Sequence, residues 1–305
     1  MSLDGKYTQL DRVADRLTEQ KIRKELLPAY KQSLDNIRGD IALLYEKHAK
    51  AGKLEMVDVT RYNRLKNLEQ GIAEEMSRLR GKQVRITSKT IKGVYQESFY
   101  RGAFILESAV QAKLRFGQLP AKQVSAALVN PMDRIGWKDR TLEGARLATR
   151  QIREEITQGI IKGESYPQVA RRVKERADMA AYRAERIVRT EAHRARTMGT
   201  LDSMRQAESM GVELTYIWTA AIDDVTRDSH ADMDSREANE DNLFEFPDGT
   251  LVEGPGLHPD PAESINCRCA LRANVSGMSP ELRRVRGADV VPYQSYHQWY
   301  NARIK

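Results

Sequence analysis

Apolar residues recur every three or four positions along the first 115 residues of the chain. Leu10, Val13 and Leu17 are followed by Ile22, Leu26, Tyr30, Leu34, Ile37, Ile41 and Leu44. That spacing draws one stripe along a helix. Pro28 has no amide hydrogen to give to the preceding turn, so it should kink or split the run. Gly52 in "HAKAGKLE" marks a turn. A second stripe, Leu65, Leu68, Ile72, Met76 and Leu79, is expected to end at Gly81. A third runs through Ile91, Val94, Phe99 and Ile105 to about Leu114. Helices with a single apolar stripe must pack on one another or on a partner. Residues 1–116 are therefore expected to form a helical hairpin or bundle that acts as an arm.

The stretch "FGQLPAKQVSAALVNPMDRIGW" carries Gly117, Pro120, Pro131 and Gly136 and suits a connection. Helix is expected again over 141–157, then a short helix capped by Ser165 with Pro167 in its first turn. Another is expected from about Met179 to Met210, with Gly211 as its C-terminal stop. At residue 212 the pattern changes. "VELTYIWTA" is β-branched and aromatic and reads as a strand. "FEFPDGTLV" reads as a hairpin turning at Asp248-Gly249, and "CRCALRANV" as a final strand. The fold class that follows is α+β: a long helical hairpin or bundle, a further helical segment, then a small antiparallel-sheet domain. The expected divisions are 1–116 (arm), 117–160 (connecting helical segment), 161–275 (α+β domain) and 276–305 (aromatic tail). The tail holds Tyr293, Tyr296, Trp299 and Tyr300. Aromatics in such a place either dock on a partner or cover the chain's own core.

Charge sharpens this picture. The net charge is +7 over 305 residues, but it is unevenly spread. Residues 1–140 hold 27 basic and 17 acidic side chains, whereas 211–275 hold 4 and 14 and no lysine. Two surfaces of opposite sign imply different partners. No run of eighteen apolar residues is present, which argues against a membrane span. The first residues carry acids and lack an apolar core, so no signal peptide is expected. That places the chain in a cytoplasm or in a particle assembled there. Two cysteines in the whole chain are no disulfide framework.

Those cysteines, Cys267 and Cys269 in "SINCRC", raise the question of chemistry. With His230 and His258 they supply four soft or borderline donors, the number a closed structural zinc site needs. The plainer reading is a buried pair packing as small apolar groups. A nucleophilic cysteine is disfavoured, because an acidic neighbourhood tends to raise a thiol pKa. A metal nuclease or a toxin-like enzyme domain is an alternative, since Asp, His and Asn cluster over 223–266, although a block of net negative charge repels phosphate. The arginine-rich helix from Arg172 to Arg196 allows nonspecific DNA contact. Most of its arginines are expected to pair with neighbouring glutamates instead.

The order of landmarks over 161–272 adds a resemblance. Arg189-Thr190-Glu191, Trp218, Asp223, Arg227, His230 and Asn266-Cys267-Arg268-Cys269 follow one another in a way that resembles the phage Mu F-like minor head proteins. The resemblance implies a low-copy structural protein inside a tailed-phage capsid, at the portal vertex, active in head assembly and in DNA packaging or ejection. It implies the portal protein, packaged double-stranded DNA and scaffold or major capsid protein as partners, with the arm of residues 1–116 docking on the portal. In that setting "SINCRC" is expected to be a structural corner. His230 and the cysteine pair would close the small sheet against the Arg189/Glu191 helix, with or without zinc.

Overall fold

The structure is a computed structural model that describes residues 2–129, 136–278 and 295–304. Pro131 and Tyr293, named above, lie outside the described residues. The chain divides by contacts into two compact units, and neither is one stretch of sequence. Unit 1 comprises residues 1–19, 88–136 and 189–305, and unit 2 comprises 20–87 and 137–188. The divisions fall inside long helices, so they leave no trace in composition.

Unit 2 is a helical bundle. Its helices are α2 (Leu27–His48), the first part of α4 (Arg64–Val110), α6 (Trp137–Ile161) and the first part of α7 (Tyr166–Ser209). Each contributes one buried stripe. Ile37, Ile41 and Tyr45 meet Ile72, Met76 and Leu79, and Ile152, Ile156, Val169 and Val173 complete the core. Some of the polar groups inside it pair with one another, which offsets the cost of burying them. The Ser33 hydroxyl donates to Glu75 at 2.6 Å, and Arg172 meets Glu155 and Glu164, each at 3.0 Å. The expected turn at Gly52 is present, with Ala51 and Gly52 at φ 48° and 76°.

Pro28 does not split its helix. The chain runs from α1 (Leu3–Lys21) through a π-turn at Ile22–Leu26 into α2. The wider turn ends two residues before Pro28, where the helix already departs from regular spacing. Nor does Gly81 end a helix. The second and third stripes are one helix of 47 residues. The short helix after Ser165 and the one expected from Met179 are likewise one helix of 44 residues. Tertiary packing along both stripes outweighs the weak local preference of single glycines.

Unit 1 holds the small sheets. Strand β1 (Val212–Thr219) pairs antiparallel with β4 (Ala270–Met278), with Tyr216 opposite Ala273 and Trp218 opposite Leu271. Val212, Tyr216 and Trp218 share the buried face, as a period of two dictates. The hairpin β2 (Phe244–Glu245) and β3 (Leu251–Val252) forms a separate pair. Gly249 turns it at φ 83°, where only glycine is unstrained. The C-terminal helix Tyr296–Arg303 covers this unit's own core. Trp299 is fully buried and donates to Glu107 at 3.0 Å, and Arg303 pairs with the same carboxylate.

Within unit 1, α4 and α7 touch backbone to backbone. A Cβ on Gly199 would lie 2.4 Å from the Tyr95 carbonyl oxygen and 3.1 Å from the Phe99 nitrogen. A Cβ on Gly81 would meet nothing within 4 Å. The same substitution should therefore have opposite effects at the two positions. Gly81→Ala is expected to raise stability by up to about 1 kcal/mol, and Gly199→Ala to lower it by about 1–3 kcal/mol through overpacking. Chemical denaturation of the two variants checks this. Equal effects would show that the helices do not approach so closely.

Candidate metal centre at the cysteine corner

The corner begins with α9 (Pro261–Ser264), whose N-cap Asp260 accepts from the Ala262 amide. Asn266 follows at φ 59°, a left-handed conformation that asparagine tolerates better than most residues. The chain then runs extended toward β4. Extended backbone places residues i and i+2 on one face. Cys267 and Cys269 therefore point inward, 6% and 2% exposed, and Arg268 points out. Arg268 grips the Asp223 carboxylate with both terminal nitrogens, one of the bonds at 2.6 Å. Asp223 also accepts from the Val225 amide and the Thr226 hydroxyl. These bonds, led by Arg268, hold its carboxyl well below the usual carboxylate range.

His230 comes from α8 (Asp228–Ala231). Arg227, just before it, donates to the Ile265 carbonyl at 2.7 Å and ties this turn to the cysteine loop. His230 Nδ1 lies 3.3 Å from Cys269 Sγ and 3.7 Å from Cys267 Sγ. All three donor atoms lie within 4.8 Å of one another, and all three residues are buried. Tetrahedral zinc, with bonds of about 2.3 Å to sulfur and 2.0–2.1 Å to nitrogen, sets such a nitrogen–sulfur pair about 3.6 Å apart. The two observed separations bracket that value. His230 Nε2 faces Glu263 at 3.1 Å, and Ser229 donates to the same carboxylate at 2.9 Å. A carboxylate on the far nitrogen fixes the tautomer and leaves Nδ1 to bind. Trp218 and Phe246 each pack edge-to-face against His230 and wall the ring.

The acidic neighbourhood does not raise both thiols. Cys269 is brought well below the ordinary thiol range, first by the Cys267 thiol and then, against burial, by His230. Cys267 is pushed up by the same contact and by burial. The acids that dominate the local sequence face outward or are paired, as Asp223 is, so the cysteines feel their immediate neighbours instead. The pair presents one readily ionised sulfur, as a metal-binding donor must be.

His258 stands apart from these three. Its Nδ1 accepts from the Asp260 amide at 3.0 Å, and its Nε2 lies 3.2 Å from Asp248. Arg189 pairs with Glu19 at 2.8 Å. Glu191 is buried against Arg194, which also donates to the Ala127 carbonyl. The helix-to-corner contact runs instead through Arg196. Its guanidinium donates to the Cys269 carbonyl at 3.0 Å and to His193 Nδ1 at 2.8 Å, and it pairs with Asp11 and Asp15. Arg196, His193 and Glu263 are thus part of the site. In sequence nothing separates Arg196 from the other arginines of α7, and Glu263 lies close to the motif without belonging to it.

His193 has its Nε2 buried without a hydrogen-bond partner, pressed against Gly256 at φ 76°. Burial, then the neighbouring Arg196 and His230, push its pKa well below 6.5. Above that pH the ring is neutral folded and unfolded alike. Below it the unfolded chain takes up a proton that the folded chain refuses, so stability falls as pH falls. One such proton gives a slope approaching about 1.4 kcal/mol per pH unit. The stability difference between the wild type and His193→Gln should therefore change between pH 6.5 and 5.5 in urea titrations. A constant difference would show that His193 does not titrate in this way.

Comparison with known proteins agrees with this architecture. The family described as "Phage Mu protein F like protein" matches residues 150–272, which include every residue of the corner. The chain is 31% identical to the minor head protein GP7 of Bacillus phage SPP1, over 95% of each chain. It is 26% identical to an NAD(+)–arginine ADP-ribosyltransferase, EFV, of Enterococcus faecalis, over the whole of this chain but 62% of that one. No solved structure matches it. Likeness of this extent to GP7, with a family match that includes the corner, establishes that the chain belongs to the Mu F-like minor head proteins of tailed phages.

Proposed function

We propose that the chain is a structural protein of the phage head, assembled in the host cytoplasm and retained inside the capsid at the portal vertex. There it contacts the portal protein and entering double-stranded DNA, with scaffold or major capsid protein as further neighbours. It aids head assembly and the packaging or ejection of DNA. The observation that carries this reading is likeness to a minor head protein along nearly the full length of both chains. The division of charge supports it. Unit 2 holds 27 basic and 17 acidic side chains, a net +10, whereas unit 1 holds 23 and 26, a net −3. A basic helical bundle suits an acidic protein face or the phosphate backbone, and we assign docking to it. Among the described residues no helix is long and apolar enough to cross a membrane.

The enzymatic alternative finds little support at the corner. The cleft beside the donor atoms measures about 20 Å³, which is room for about one water molecule and not for a nucleotide or a phosphodiester. The similarity to the ADP-ribosyltransferase leaves more than a third of that protein without a counterpart here.

Deleting residues 1–115 would not test docking, because Tyr7, Leu10 and Phe99 belong to the unit 1 core. Substitution of the exposed Lys66, Lys82 and Arg85 of unit 2 tests it without cutting into either core. On co-expression with the portal protein of the same phage, the wild type is expected to co-elute with portal rings in size exclusion. The triple change to Glu should abolish this while leaving the circular dichroism unchanged. Co-elution of both, or of neither, would sink the docking assignment.

We also read His230, Cys267 and Cys269 as a structural zinc centre, since thiolate and imidazole donors suit zinc. Bound there, zinc would fix α8 and the start of β4 to each other. Protein purified without a histidine tag should carry about one equivalent of zinc. Cys267→Ser or Cys269→Ser should lose it and lower the melting temperature. Less than about a tenth of an equivalent in the wild type would leave the cysteines as packing groups only.

A further inference from the structure

We infer that the metal at this corner keeps its fourth coordination position for an exchangeable small ligand, a water molecule or a small inorganic anion, and not for a fourth side chain. The inference rests on the zinc reading above and adds the ligand class to it.

Three donors converge, and among the described residues no further His, Cys, Asp or Glu joins them. The candidates for a fourth are each engaged elsewhere. Glu263 sits on the far nitrogen of the His230 ring, the side away from the sulfurs, and is held there by Ser229. His258 has one nitrogen on the Asp260 amide and the other against Asp248. Asp223 is committed to Arg268 and to its own turn. Ser264, two residues before the motif's asparagine, donates its hydroxyl to the His258 carbonyl at 2.5 Å.

The space beside the donors is also built. Ala221, Val225, Thr226, Arg227, Asn266 and Arg268 line the cleft together with the three donor residues. Its volume of about 20 Å³ holds about one coordinated atom, and the cleft is open on one side, so a small linear anion can bind end-on. Three protein ligands with a fourth position left to solvent is the arrangement of zinc sites that exchange a ligand. Two thiolates cancel the charge of a divalent ion, so a neutral water suffices. Cationic side chains at the cleft favour an anion in its place. The Arg268 charge is compensated by Asp223, but Arg227 is held by a neutral carbonyl, that of Ile265, a contact that leaves its positive charge uncancelled. The size of the cleft limits the ligand to species such as azide, cyanide or chloride.

Cobalt(II) in place of zinc makes the position visible, because its absorption bands report the ligand set. The full chain is stripped with chelator, reconstituted with cobalt and titrated with azide. The expected result is thiolate-to-cobalt charge transfer together with visible bands that shift saturably, with one azide per protein. His258→Ala should respond like the wild type. A wild-type spectrum with full charge transfer but no response to azide overturns the open position and leaves the zinc reading standing. A silent wild type with a responsive His258→Ala or Glu263→Gln overturns it too, and names the side chain that fills the position. Absence of any thiolate-to-cobalt band overturns the zinc reading itself, so the two failures are distinct.

Discussion

The guanidinium of Arg196 joins three parts of unit 1 that are remote in sequence. It takes Asp11 and Asp15 from α1, the Cys269 carbonyl at the entry to β4, and His193 from its own helix α7. A buried guanidinium has to find acceptors for all its donors or the cost of burying it is not met. Satisfying them fixes the position of the first helix, the long helix and the cysteine loop at once. The charged contacts around it are individually modest. Together they form a network in which removal of one member leaves the others unsatisfied inside the core.

The cysteine corner hangs on that network from one side and on Arg227, Asp223 and Glu263 from the other. Arg227 fixes the loop backbone at Ile265, Asp223 holds Arg268 outward, and Glu263 sets the His230 ring. The three donor atoms are thereby aimed at one another by the fold itself. The cleft beside them has room for a coordinating atom or two.

Much of this was legible in the sequence. Three-and-four spacing found the helices, β-branched and aromatic composition found β1, Asp248-Gly249 found the hairpin turn, and the order of landmarks from Arg189 to Cys269 found the family. His230, Cys267 and Cys269 were nominated by donor chemistry. Other features were not legible. Gly81 reads as a helix end but lies inside a 47-residue helix, because burial of Leu79, Ile86 and Ile91 on continuous turns outweighs one glycine. Arg196 reads like any other arginine of α7, since only its neighbours in space distinguish it. His258 has the right chemistry for a ligand, yet its ring is held by Asp260 and Asp248.

The sequence by itself determined the apolar stripes, the hairpin turn, the donor chemistry of His230, Cys267 and Cys269, and the division of charge along the chain, because these depend on the backbone period and on side-chain type alone. Tertiary structure alone decided which distant segments form each unit, which of two histidines meets the sulfurs, and which arginine carries the corner. Those outcomes depend on how buried donors and acceptors are matched across the fold, and that matching has no local signature.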